Sequence, residues 1–181
     1  MKVLVLYDSQ TGNTEKVAKR IHETMVSAGY ESDCVKVKKN TVLDLYAYDL
    51  LFVGSPVIAW GPTNSMKNFV LEKFRAYTKT HIDHSAPLRP GKFTVSFCTY
   101  AGSHIGELEA IPLTKWFSAF TGHLGYQNMG EWHIVGEFHN QEEINTRGRL
   151  GDIRGRPNAN DLLDVENRVK GLLPALSAWN S

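Results

Sequence analysis

The feature that most constrains this chain is its alternation of short, wholly apolar runs with longer stretches whose apolar residues recur at helical spacing. "KVLVLY" at 2–7 and "DLLFVGSP" at 49–56 are patterned as strands buried on both faces. Between them, Val17, Ala18, Ile21, Met25 and Val26 mark a helix from Asn13 to about Ser27 that stops at Gly29. "SDCVKV" at 32–37 and "KFTVSFCTY" at 92–100 read as strands, and "QNMGEWHIVGEF" at 127–138 as a strand broken by glycines. Helices are expected over 65–77, with Met66, Phe69, Val70, Phe74 and Tyr77 along the inner stripe, over 106–122 and over 160–179. Pro112 is expected in a first turn or at a kink, and Pro174 is expected to bend or end the last helix.

The order is thus β α β β α β α β α. Strands alternating with helices imply an α/β fold of three layers, a doubly wound five-stranded parallel sheet with helices on both faces. In such sheets ligands bind beyond the carboxyl ends of the strands, at the switch point of strand order. That rule selects three loops, 8–14, 55–63 and 99–106.

Composition narrows the function classes. The 181 residues suit one domain, and a formal charge of +1 argues against a general nucleic-acid binder. No apolar run reaches the roughly 18 residues of a membrane span, and the first residues enter a strand without the pattern of a signal peptide. Cys34 and Cys98 lie in apolar strand segments and are expected as buried free thiols of a cytoplasmic protein.

The first loop, "SQTGNT" at 9–14, carries hydroxyl or amide side chains at Ser9, Thr11, Asn13 and Thr14, with Gly12 free to turn closely around an anion. A helix N-terminus offers unpaired N–H groups and the positive end of its dipole. Neither G-x-x-x-x-G-K-[ST] nor G-x-G-x-x-G is present, which argues against P-loop nucleotide binding and against the dinucleotide fingerprint. No lysine or arginine falls in the loop, so it suits a phosphate monoester held by neutral donors. The alternative is that the stretch merely caps its helix.

S-x-T-G-x-T between first strand and first helix resembles the FMN-phosphate loop of the flavodoxin family, and the element order over 1–137 and 160–179 is similar as well. The resemblance implies a flavodoxin-like sheet with strand order 2-1-3-4-5 over a single domain, 1–181. It implies FMN as cofactor, with Ser9, Gln10, Thr11, Gly12, Asn13 and Thr14 at the phosphate. Pro56, Val57, Ile58, Ala59, Trp60 and Gly61 would flank the ring on one side, with Trp60 as the stacking residue. The other reading of Trp60 is a core or subunit contact. Thr99, Tyr100, Ala101, Gly102, Ser103 and His104 would follow the pyrimidine and N5 edges, although this loop is less acidic than in many flavodoxins.

The chemistry would belong to the flavin, so no catalytic residue is expected, and no metal ligand. "HIDH" at 81–84, His133 and His139 lack the partners of a metal site. Residues 138–160 form an extra loop with Arg147, Arg149, Arg154 and Arg156. Either it folds over the cofactor side and receives a nicotinamide dinucleotide, an acidic substrate or a neighbouring subunit, or it is an exposed loop paired with Glu142, Glu143 and Asp152. Carrier flavodoxins are typically very acidic, whereas this chain is near neutral, with a sequence pI of about 7.8. The leading expectation is electron transfer through FMN to a redox partner protein. An NAD(P)H-dependent quinone or FMN reductase is the first alternative, although the longer insertion many of those carry after the third strand is missing. A non-redox interaction module is the second, and a homodimer is a further expectation from the resemblance. A Cys-x5-Arg phosphatase is excluded because the first loop lacks cysteine, and a response regulator fits poorly because the third strand does not end in aspartate, although Asp8 ends the first.

Overall fold

The computed structural model describes residues 1–82 and 84–179. Five parallel strands, β1 (Lys2–Tyr7), β2 (Glu31–Lys36), β3 (Leu50–Pro56), β4 (Phe93–Tyr100) and β5 (Gln127–Val135), form one sheet in the order β2-β1-β3-β4-β5. Val5 pairs with Cys34 on one side and with Phe52 on the other, and Phe52 pairs in turn with Val95. The apolar runs are continuous because successive residues feed opposite cores. Val3 and Val5 face a core with α1 (Asn13–Ser27) and α5 (Ala159–Ser177), where Val17, Ile21, Val165 and Val169 are buried. Leu4 and Leu6 face the other core, with Met66 and Phe69 of α2 (Asn64–Tyr77) and Leu113 and Phe117 of α3 (Ile111–His123). Each such side chain, fully buried, contributes about 1.5–3 kcal/mol of transfer free energy.

The structure departs from the sequence reading in several places. The stretch 106–122 is two elements, a 3-10 turn at Gly106–Glu109 and then α3, whose first turn holds Pro112. There the missing N–H is no loss. Strand β5 ends at Val135, so the residues to 138 leave the sheet. Helix α5 passes through Pro174 and ends at Ser177, because a proline so near the C-terminus removes only a bond of the last turns. Val26 is exposed rather than inward, Phe74 is half-buried, and Cys34 is half-buried while Cys98 is buried. Within 138–160 lies a short helix, α4 (Glu142–Arg147). Among the described residues, no helix is long and apolar enough to cross a membrane.

Candidate functional site

The C-terminal ends of β1, β3, β4 and β5 converge on one cleft of about 240 Å³. Buried polar groups lace its walls together. Asp8 is buried at the end of β1, where Oδ1 accepts the Ser9 N–H at 2.8 Å and Oδ2 accepts the Thr63 hydroxyl. Thr63 in turn accepts the Met66 N–H at 3.3 Å and caps α2, so one buried carboxylate fixes both the first loop and the second. Thr14 Oγ1 and Thr99 Oγ1 share a buried hydrogen bond of 2.8 Å between the first and third loops. The Val57 N–H donates to the Thr99 carbonyl at 2.9 Å, closing the second loop on the third. Burying so many polar groups is tolerable only because each is paired.

The first loop does not cap its own helix. Gly12 stands at the N-cap with φ 98° and no side chain caps α1, in contrast with Thr63 on α2 and the Asn158–Asp161 capping box on α5. The Ser9 hydroxyl instead accepts the Gly12 N–H at 3.1 Å and shapes the turn. Among the described residues, the N–H groups of Thr11, Asn13 and Thr14 have no protein acceptor. A positive φ of this size favours glycine, and the result is a concave set of donors at the positive end of α1.

Of the residues named from sequence, Ser9, Gln10, Thr11, Asn13, Thr14, Pro56, Val57, Ile58, Thr99, Tyr100 and Ala101 line the cleft. Gly12 is not among the lining residues and shapes the turn between them. Ala59, Trp60 and Gly61 stand outside. They turn away in a tight reversal closed by Ile58 and Gly61, which exchange hydrogen bonds of 2.9 and 3.0 Å. The two central residues take left-handed backbones, φ 46° at Ala59 and 63° at Trp60. Trp60 is 62% exposed and borders a neighbouring groove with Pro112 and Trp116, not the core. Gly102, Ser103 and His104 also leave the cleft. The chain turns at Gly102, with φ 59°, and Ser103 accepts the Arg149 N–H at 2.8 Å through its carbonyl. Tyr100 is buried, edge-on to His133 with ring centroids 6.4 Å apart, and burial pushes its phenol up to about 12.

Gly136, Glu137, Phe138 and His139 form a fourth wall, Phe138 and His139 from the start of the loop expected over the cofactor side, Gly136 and Glu137 not expected from the sequence. Gly136 donates to the Tyr100 carbonyl at 2.9 Å, and the Asn13 side-chain amide donates to the Glu137 carbonyl at 2.9 Å. A Cβ at Gly136 would stand 3.1 Å from Asn13 Nδ2, so the glycine lets loop and wall approach. That glycine, just past an apolar strand, was the available signal.

Three of the four arginines of the extra loop pair with acids, Arg147 and Arg154 with acids of the loop and Arg156 with one of α5. Arg147 meets Glu143, Arg154 meets Glu142 and Asp152, and Arg156 meets Asp161. The hydrogen bond from Arg154 holds the Asp152 carboxyl down at about 2. His81 stacks on Tyr46 at 4.5 Å, and His133 bonds Thr114 and Glu107. Asp83 lies outside the described residues, and among the described residues no cluster of three or more histidine, cysteine or acidic side chains is arranged for a metal.

The family model described as Flavodoxin matches residues 5–109. No curated protein matches the chain. Among solved structures, a flavodoxin from the domain Archaea superposes with a TM-score of 0.67 at 18% identity, covering 98% of this chain and 99% of that one. A flavodoxin, WrbA-like protein from Agrobacterium tumefaciens gives 0.64 at 14%, covering 98% of each chain. Rubredoxin oxygen:oxidoreductase from the anaerobe Desulfovibrio gigas gives 0.65 at 16%, covering 99% of this chain and 37% of that one.

Proposed function

The chain belongs to the flavodoxin family, and from that premise we propose that it binds FMN in this cleft and transfers electrons through it to a redox partner. The uncapped, left-handed turn at Gly12 carries the proposal: it leaves the donors at the start of α1 to an outside acceptor. Thr11, Asn13 and Thr14 would hold the phosphate by backbone N–H groups, with the Thr11 and Ser9 hydroxyls beside them. No lysine or arginine lines the cleft, so neutral donors and the helix dipole do this work. The isoalloxazine would lie between Pro56–Ile58 and Thr99–Ala101.

When bound, FMN supplies uptake and return of one or two electrons. The protein's residues bind, orient and partly exclude water. At about 240 Å³ the cleft is small for a ligand of this size, which supports a flavin whose ring edge stays at the surface, within reach of a partner. The exposed side chains of Ile58 and Phe138, both in the lining of the cleft, fit such an exchange.

An NAD(P)H-dependent reductase is the second reading, raised by the near-neutral charge. The pairing of Arg154 with Glu142 and Asp152, and of Arg156 with Asp161, counts against it, since these two forks are already engaged. FMN-loaded protein kept without oxygen decides the matter. A flavin band that persists with NADH or NADPH but bleaches with dithionite supports the carrier, whereas rapid bleaching by either nucleotide identifies a reductase. Protein that takes up no FMN would favour a non-redox module.

A further inference from the structure

Residues 136–139 leave the sheet beyond Val135, the last residue of β5, yet they form a wall of the cleft. What holds them is the segment between β5 and α5. Asn145, in α4, is buried at 6% exposure. Its Oδ1 accepts the Phe138 N–H at 2.7 Å and its Nδ2 donates to the Phe138 carbonyl at 2.8 Å. One side-chain amide thus makes with Phe138 the paired bonds that a facing residue makes in an antiparallel ladder.

Asn145 is itself rooted. Its N–H donates to the Gln141 carbonyl at 3.0 Å, and its carbonyl accepts the N–H of Ile153 at 2.8 Å. Ile153 is 1% exposed. One residue before Phe138, the Glu137 N–H donates to the Arg156 carbonyl at 2.9 Å and its carboxylate accepts the Gly155 N–H at 2.8 Å. The Glu137 carbonyl then accepts from Asn13 of the first loop. The hydrogen bonds therefore run unbroken from the inserted segment, through the wall, to the donors at the start of α1.

We infer that the segment 138–158 is a scaffold for the cofactor cleft, and that Asn145 is the positioning residue through which it fixes the Phe138 wall. The inference rests on the reading of the cleft as the FMN site. At neutral pH an amide places a donor and an acceptor side by side on one planar group, which an ionised carboxylate does not. Asn145→Asp loses the donor and sets a carboxylate against the Phe138 carbonyl, while Asn145→Ala loses both partners. The exposed pair of Arg147 with Glu143 has no such reach.

The test is FMN titration of the full chain as wild type, Asn145→Ala, Asn145→Asp and Arg147→Ala, with amide hydrogen exchange of the FMN-free proteins. The expected result is FMN binding about tenfold weaker in both Asn145 variants, the equivalent of about 1.4 kcal/mol, and within about twofold of wild type in Arg147→Ala. The Phe138 amide should exchange faster in Asn145→Ala, where its acceptor is gone, and stay protected in Asn145→Asp, while β4 amides keep their protection in both. If Asn145→Ala loses protection in β4 as well, the isosteric Asn145→Asp carries the comparison. Asn13→Ala and Asn145→Ala should be non-additive in FMN affinity, because Asn13 would grip a wall already free. Wild-type affinity in Asn145→Asp and Asn145→Ala with a deprotected Phe138 amide overturns the inference alone, as does an additive cycle. Absence of FMN binding in the wild type overturns the underlying reading and this inference together.

Discussion

Thr14 Oγ1 and Thr99 Oγ1 lie 2.8 Å apart in the buried floor of the cleft and bind the first loop to the third. Both residues are almost wholly buried, at 1% and 4% exposure. Removing one hydroxyl leaves the other without its partner, at a cost of about 1–3 kcal/mol, whereas replacing both with apolar groups of like shape is close to neutral. Thr14→Val and Thr99→Val should each destabilise the protein by about 1–2 kcal/mol, and the double variant by clearly less than their sum. Urea unfolding of the three variants measures this, and simple additivity would count against a buried pair.

The reversal at Ala59–Trp60 stores backbone strain. A left-handed backbone at a residue with a Cβ costs roughly 1–2 kcal/mol, and glycine loses about 0.5–1 kcal/mol of that relief to its larger entropy on folding. Ala59→Gly should therefore stabilise the FMN-free protein by on the order of 0.5–1 kcal/mol. The same exchange at Ala119, exposed in the middle of α3, should cost about 1 kcal/mol. Denaturation midpoints of the two variants should move in opposite directions, and a shift of the same sign would remove the strain from the account.

Alkaline stability follows from three buried phenols. Burial pushes Tyr7, Tyr77 and Tyr100 up to about 12 from the ordinary value near 10. A raised folded-state value means that the folded protein holds the proton longer than the unfolded chain. These groups leave stability untouched below pH of about 10 and lower it as pH rises from about 10 to 12. Tyrosinate absorbance should accordingly show a late phase coincident with unfolding, and Tyr100→Phe should shrink that phase. A single phase near pH 10 without unfolding would show these phenols to be accessible.

Most of what could be read from sequence was the frame. Unbroken apolar runs such as Val3–Leu6 mean burial on both faces, and here both faces are buried. The first loop was equally legible, since Ser9, Thr11, Asn13 and Thr14 are local to one strand–helix junction. The remainder depends on contacts far apart in the chain. Trp60 was read as a wall of the cleft, but the two left-handed residues of its turn swing it toward Trp116. Ser103 and His104 were drawn off by Gly102 and by the pairing of Ser103 with Arg149, 46 residues later. Gly136 and Glu137 were hidden inside an apparent strand, because "HIVGEF" continues the pattern that the sheet abandons at Val135, whereas Phe138 opens the loop expected over the cofactor side. Helix α4 is too short to show a period.

The central claim is that the open turn at Ser9–Thr14 holds a phosphate with neutral donors, and comparing FMN with riboflavin tests it most directly, since the two ligands differ only by that group. Fluorescence titration of the same FMN-free protein with each should give FMN an advantage of at least about tenfold. That is the reach of one charge-assisted hydrogen bond of about 1.5–3 kcal/mol, and Gly12→Ala should reduce it. Equal affinity for the two ligands would contradict the account.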